Sequence, residues 1–152
     1  MRYTRGMYTY EYPRPAFSAD AVVLRDGAGG REVLLIRRGA EPYMGRWALP
    51  GGFVEEVERP AHAARRELAE ETGLRPAGEL TQLGAYAEPG RDPRGWIVTA
   101  VYVVELGPDE DAAVEGGDDA AEAAWFPVDG LPSPLAFDHA DIVADALAGR
   151  VR

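Results

Sequence analysis

Three closely spaced glutamates, Glu67, Glu70 and Glu71, are the residues of this chain best placed to do chemistry. On a helix of 3.6 residues per turn, positions i, i+3 and i+4 share one face. The local sequence predicts such a helix from about Pro60 to Thr72. Pro60 suits the first helical position, because its φ is preset and its missing N–H is not needed there. Gly73 is a natural left-handed stop. Ala61, Ala64 and Leu68 form an apolar stripe that can pack on a sheet while the carboxylates face a cleft. Two unit charges about 4 Å apart repel by ~1 kcal/mol in water and ~4 kcal/mol at an effective dielectric near 20. A divalent cation reverses the sign of that energy. Oxygen ligands, with no cysteine and no paired histidine, favour Mg²⁺ or Mn²⁺ over Zn²⁺. The competing reading of the same face is a solvated helix whose glutamates are balanced by Arg65 and Arg66.

The spacing around these glutamates separates the two readings. Gly52 to Leu74 reads GFVEEVERPAHAARRELAEETGL. It resembles the Nudix box, GX5EX7REUXEEXGU with U aliphatic, at every fixed position: Gly52, Glu58, Arg66, Glu67, Leu68, Glu70, Glu71, Gly73 and Leu74. The resemblance implies an α/β (α+β) chain, an α/β/α sandwich with a mixed sheet. It also implies Mg²⁺-dependent hydrolysis of a nucleoside diphosphate linked to another moiety. Carried over to this sequence, Glu67 and Glu71 hold metal, a backbone carbonyl at the Gly51-Gly52 turn completes the shell, and Glu70 assists. Arg66 orients the carboxylates. Relatives place a general base on the loop before the last short strand, which here offers Asp118, Asp119 and Glu122 ahead of Trp125. Sequence does not choose among these, nor exclude Glu67 or Glu70.

The loop Gly90-Arg91-Asp92-Pro93-Arg94-Gly95 and the later Leu135-Ala136-Phe137-Asp138-His139 resemble segments of the ADP-ribose pyrophosphatase branch. They are also similar to the Nudix portion of bacterial NAD-metabolism regulators. Arg91 and Arg94 can grip a terminal ribose or a phosphate by forked contacts. The alternative is that Asp92 and these arginines only brace their own loop. Arg37 or Arg38, at a strand end near the expected mouth, is a further phosphate contact, and Arg37 is taken as the candidate. His62 falls on the helix side away from the glutamates, and His139, at a helix start, is read as structural. ADP-ribose, cleaved to AMP and ribose 5-phosphate, is therefore the expected substrate. The alternatives are a damaged nucleoside triphosphate such as an 8-oxo nucleotide, another nucleotide sugar, or a non-catalytic ADP-ribose sensor. The complete box, and a chain that ends at Arg152 without an appended DNA-binding domain, favour the enzyme.

Composition sets wider bounds. At 152 residues the chain is expected to be one domain over 1–152. Its net charge of −10 argues against nucleic acid or an anionic membrane as partner. The same charge opposes an anionic substrate unless metal ions neutralise both. There are no cysteines, so neither a disulfide framework nor a thiolate site is available. No apolar run reaches ~18 residues and the start lacks a signal-peptide core, so a cytoplasmic protein is expected.

The remaining elements must position the box. Met1 to Pro15 is aromatic and basic, with Tyr3, Tyr8, Tyr10, Tyr12, Arg2, Arg5 and Arg14. Residues 1–12 are expected to be a flexible leader or an arm that forms a homodimer. Phe17 to Leu24 and Glu32 to Arg38 read as a strand pair around the turn cluster Arg25 to Gly30. Gly39 to Gly45 reads as a loop. Glu79 to Glu88, Trp96 to Glu105 and Ala123 to Val128 read as strands, and Pro89 to Gly95 as a loop. The acidic stretch from Gly107 to Ala120 reads as solvated loop. His139 to Leu147 carries Ile142, Val143, Ala146 and Leu147 at helical spacing, so a closing helix is expected.

Overall fold

The computed structural model describes residues 7–151. Its elements are β1 (Ala16–Gly27), β2 (Gly30–Arg38), β3 (Trp47–Ala48), β4 (Gly51–Phe53), α1 (Pro60–Thr72), β5 (Thr81–Tyr86), β6 (Ile97–Glu105), β7 (Ala120–Pro127) and α2 (His139–Ala148). One mixed sheet runs in the order β3-β2-β1-β6-β5, with β4 also paired to β1 and β7 to β2. The long parallel pair β1–β6 is central, from Ala16 opposite Ile97 to Leu24 opposite Glu105. The other pairings are antiparallel. The expected sandwich with a mixed sheet is therefore the observed one.

Alternation along β1 explains the two layers. Ala19, Ala21 and Val23 face α1, where Ala63, Ala64 and Leu68 pack on them with Ala100, Tyr102 and Val104 of β6. Val22 and Leu24 face the other way and meet Ile142 and Val143 of α2, with Leu35, Leu83 and Val101. Both helices lay their apolar stripe on the sheet, and a fully buried Leu or Val contributes roughly 1.5–3 kcal/mol. Ala61, expected in the α1 stripe, is half-buried, and Ala63 sits in the core beside Ala64. The α1 boundaries match the sequence reading, with Gly73 left-handed at φ 77.

The β1–β2 hairpin is longer than expected. Its pairing runs from Leu24 opposite Val33 to Gly27 opposite Gly30, so much of the turn cluster is strand. Toward the start of β1 the two strands part company. Ser18, Ala19 and Asp20 pair instead with β4, and Ile36 and Arg37 pair with β3. A split between two central strands leaves room there for a cavity.

Two other expectations change. The acidic stretch is not simply solvated. Its backbone N–H groups at Glu115 and Gly117 donate to the carbonyls of Thr72 and Glu71 at the end of α1. Ala112 and Val114 pack on the α1-side core, and Trp125 Nε1 donates to the Ala112 carbonyl. In the leader, Tyr8 and Tyr10 stack at 6.2 Å and Arg14 lies 3.8 Å over the Tyr10 ring. Arg2, Tyr3 and Arg5 lie outside the described residues. No helix among the described residues is long and apolar enough to cross a membrane.

Polar struts hold α2 in place. The buried Tyr86 hydroxyl donates to Asp145 at 2.9 Å, and Arg150 donates to the other oxygen of Asp145. A hydrogen bond to a buried charged group contributes about 1.5–3 kcal/mol. Tyr86→Phe is expected to lower the melting temperature by roughly 3–6 °C with little change in activity. Calorimetry that shows no shift would mean that this strut carries no stability.

Candidate functional site

A cavity of about 620 Å³ opens where β1 and β2 separate. Ser18 and Asp20 line it from β1, Ile36 and Arg38 from β2, Gly51 to Phe53 from β4, and Glu67 and Glu71 from α1. Arg91, Asp92 and Arg94 close another side, with Asp119, Phe137 and His139 from the later loops.

The carboxylate cluster is built by close approach of α1 to β4. A Cβ on Gly52 would lie 2.5 Å from the Glu67 carboxyl carbon, so any larger residue here would displace that carboxylate. The N–H of Gly51 donates to Glu71 at 2.8 Å. Glu67 and Glu71 are each 5% exposed. Burial pushes the Glu71 carboxyl well above its ordinary range against the Gly51 hydrogen bond, and Glu67 and Asp20 push the same way. Burial likewise raises Glu67, opposed by Arg66 and reinforced by Glu70 and Asp118. On the outer side, Glu67, Glu70 and Asp118 each offer an oxygen within 4.8 Å of the others. Asp118 reaches this position because its neighbour Gly117 runs close to the helix end, where a Cβ would meet the Glu70 carbonyl at 2.6 Å. Two desolvated carboxylates beside further acids, all hard oxygen donors, suit Mg²⁺ or Mn²⁺.

Arg66 is the internal counter-charge. Its Nε and Nη2 donate to Glu58 at 2.8 and 2.9 Å, and Nη2 also donates to the Phe53 carbonyl at 3.1 Å. Its Nη1 donates to Glu67 at 2.9 Å and reaches Glu70 at 3.4 Å. All five guanidinium N–H donors are thereby engaged. Arg66 is thus saturated by contacts within the chain, to Glu58, Phe53, Glu67 and Glu70. Arg66, then the Glu55 N–H and His62, hold Glu58 down at about 2.

The other sequence candidates divide. Asp119 lines the cavity, with its backbone carbonyl accepting from the Gly39 N–H at 2.9 Å. Glu122 does not line it; it stands on β7 3.7 Å from Arg37. Arg37 also lies outside the cavity wall, donating to the Gly45 carbonyl at 3.3 Å. Arg38, one residue on, takes the cavity position expected of Arg37. A strand alternates sides, and Arg38 shares the side of the cavity-lining Ile36. Arg91 is 4% exposed in its side chain and makes a forked ion pair with Asp138 at the start of α2, at 2.9 and 2.6 Å. Arg94 pairs with the buried Asp92 through Nε and Nη2, and lies 4.9 Å from the Phe53 ring centre and 5.6 Å from that of Phe137.

Neither histidine is arranged as a base. His62 Nδ1 is 2.9 Å from Glu58. His139 is buried, and its Nδ1 accepts from the Leu49 N–H at 2.9 Å, which leaves the ring proton on Nε2. Burial lowers its pKa, so the ring is neutral near pH 7. Sequence reasoning missed Asp20 and Phe53 as cavity residues, offered Arg38 only as the alternative to Arg37, and noted Phe137 only as part of a resembling segment. Asp20 carried a signal, being an acid inside an apolar strand; it accepts from Thr99 Oγ1 at 2.6 Å.

The Glu58–Arg66 pair gives a pH test. The folded pKa of Glu58, about 2, lies below the ~4.3 of an unfolded glutamate. Its contribution is therefore present above about pH 4.3 and is lost as pH falls toward 2. Melting profiles between pH 6 and 3 are expected to fall less steeply in Glu58→Gln than in the parent, and parallel profiles would refute the pairing.

The comparisons with known proteins bear on the same residues. A NUDIX domain model matches residues 15–146. The ADP-ribose pyrophosphatase of Methanocaldococcus jannaschii is 42% identical over 134 residues, which span 88% of this chain and 74% of that protein. The ADPR responsive transcriptional repressor NtrR of Acinetobacter baylyi is 33% identical over 91% of this chain, which spans only 55% of that protein's length. Among solved structures, the NUDIX domain of Shewanella oneidensis NrtR complexed with ADP ribose superposes with a TM-score of 0.80. It is 30% identical, over 91% of this chain and 90% of that one. With an unbroken box folded into a glutamate-lined cavity and a family match over most of its length, the chain belongs to the Nudix hydrolases, enzymes acting on phosphorus-containing anhydrides.

Proposed function

We propose that this chain is a divalent-metal-dependent pyrophosphohydrolase that cleaves ADP-ribose to AMP and ribose 5-phosphate. The observation that carries this reading is one cavity that holds two different sets of groups. Glu67 and Glu71 line it together with Arg94, whose guanidinium borders the rings of Phe53 and Phe137. Its volume, about 620 Å³, falls within the ~300–1,000 Å³ of small-ligand sites. The Methanocaldococcus relative and the ADP-ribose-bound Shewanella domain support the same choice.

Hydrolysis joins a water oxygen to one phosphorus and breaks that atom's bond to the bridging oxygen. Glu67 and Glu71, with Glu70, Asp118 and a backbone carbonyl at Gly51-Gly52, would hold Mg²⁺ or Mn²⁺, which neutralises phosphoryl charge and acidifies water. Asp119 is the acid of the base loop that lines the cavity, so it is assigned the proton from water. Arg66 keeps Glu67 and Glu70 aimed. Phe53 and Phe137 offer faces on which an adenine stacks, and Arg94 offers a donor to the terminal ribose. Arg91 is assigned a bracing role through Asp138.

The repressor relatives favour a second reading, a sensor that binds ADP-ribose without turnover. A panel of ADP-ribose, nucleoside triphosphates and 8-oxo nucleotides, with and without Mg²⁺, separates the two. ADP-ribose is expected to show the highest kcat/KM, because it has a second handle that triphosphates lack. Tight binding with no AMP released would favour the sensor, and preference for a triphosphate would overturn the substrate assignment.

Steady-state kinetics on two variants test the roles. Glu71→Gln is expected to keep the fold and lose at least 100-fold in turnover at saturating Mg²⁺, or about 2.7 kcal/mol of barrier. Asp119→Ala is expected to lose roughly 10²–10⁴-fold in turnover. A Glu71→Gln enzyme that keeps a third of its rate would sink the metal assignment. Unchanged turnover in Asp119→Ala would move the base to α1.

A further inference from the structure

Three arginines line the cavity, and two of them already have an anion. Arg91 is forked onto Asp138 and Arg94 onto Asp92. Arg38 differs. Its side chain donates through Nε to the Pro42 carbonyl at 2.6 Å, and its guanidinium lies 5.0 Å from the ring centre of Phe137. No carboxylate among the described residues forms an ion pair with it, and neither Nη is bonded there. Arg38 is half-buried on the cavity wall, and burial followed by the nearby Arg94 lowers its pKa. A guanidinium stays charged all the same, so it is a desolvated cation with donors to spare. Removing a charge from water without a partner is costly. Arg38 is nevertheless kept in place by Pro42 and Phe137, with its two Nη groups left over. The distant fields of Glu71, Asp92 and Asp20 favour the charge without any of them closing on it.

We infer that Arg38 is the residue that grips the diphosphate directly, through its two free Nη groups, and so confers affinity for the phosphate part of any nucleotide diphosphate in this cavity. This rests on the reading of the chain as a diphosphate hydrolase, and it shifts the phosphate contact away from Arg37 and Arg91. A forked guanidinium matches two non-bridging phosphate oxygens, as an ammonium does not. The carboxylate side can hold the phosphates only through cations. Arg38 supplies a contact that belongs to the protein itself, on the wall contributed by β2. The contact is to phosphate and not to sugar or base, so it carries affinity for all diphosphates alike. Discrimination between substrates then falls to Arg94 and the two phenylalanines.

The test uses α,β-methylene-ADP, a diphosphate that is not cleaved, titrated calorimetrically into the full chain with Mg²⁺, and adenosine as the phosphate-free control. Arg38→Gln is expected to weaken the diphosphate at least 10-fold and to leave adenosine within 2-fold. Arg38→Lys keeps the charge but not the fork or the Pro42 bond, and is expected to fall between the parent and Arg38→Gln. In kinetics, Arg38→Gln raises KM more than it lowers kcat. Unchanged diphosphate affinity in Arg38→Gln overturns the inference. So does equal loss of diphosphate and adenosine, or equal loss in the Lys and Gln variants, since either would mean that Arg38 only anchors the Pro42 loop. Because the probe needs no turnover and no terminal ribose, these outcomes are independent of whether ADP-ribose proves to be the substrate.

Discussion

The structure turns on the desolvation of Glu67 and Glu71. Two carboxylates at 5% exposure on adjacent turns of one helix repel each other, and burial makes that repulsion larger than it would be in water. Among the described residues the protein answers with one close cation, the weaker field of Arg38 and one backbone donor. Arg66 reaches Glu67, but it also serves Glu58 and Glu70, so its single charge is divided. Glu71 receives only the Gly51 N–H among neutral partners, with Asp20 adding to the repulsion. The charge deficit is thus written into the fold. It can be relieved by protons, which is why both groups are raised, or by a divalent cation, which would be favoured instead at neutral pH.

Holding that arrangement requires α1 to be fixed from both sides. Ala63, Ala64 and Leu68 seat it on β1 and β6, where small residues allow a close fit. Gly52 lets β4 pass against the Glu67 carboxyl, and Gly117 lets the acidic loop pass against the last turn. The hydrogen bonds from Glu115 and Gly117 cap carbonyls that a helix end otherwise leaves open. The contact that caps the helix end also delivers Asp118 to Glu67 and Glu70.

The legible part of this protein was the part governed by local rules. Pro60 and Gly73 marked the ends of α1 in sequence, and the glutamate spacing marked its working face. The longer strands of the sheet were legible from β-branched runs, whereas β3 and β4, short pieces in a stretch read as lead-in and turn, were not. What sequence misjudged depended on long-range pairing. The split between β1 and β2, visible only in the register, makes Arg38 and not Arg37 a cavity residue; a register shift beside Arg37 and Arg38 further blurs the alternation. The solvated reading of residues 107–120 failed because many of its anchors are backbone groups, which carry no side-chain signature, and its apolar anchors Ala112 and Val114 stand isolated among acids. Asp92 looked like a loop brace, and it is one, yet it also lies on the cavity wall.

The net charge of −10 looks at odds with an anionic substrate, and the distribution of charge removes the conflict. At physiological salt, exposed charges are screened beyond ~8 Å, so acids such as Asp109, Asp111 and Glu115 on the outer loop count for little inside the cavity. What a ligand meets is set by the groups on the wall. Of the arginines there, Arg91 is neutralised by Asp138 and Arg94 by Asp92. The ion pairs therefore fix the shape of the 88–95 loop more than they add positive potential. Arg94 keeps a directional role because its guanidinium plane borders two aromatic rings. Among the wall arginines that leaves Arg38, which has no ion pair among the described residues, and under the proposed function a cation held by the glutamates would supply the rest of the positive field. On the proposed metal-dependent reading, such a site would be weak for anions until metal arrives, and would gain its binding strength and its chemistry in the same event.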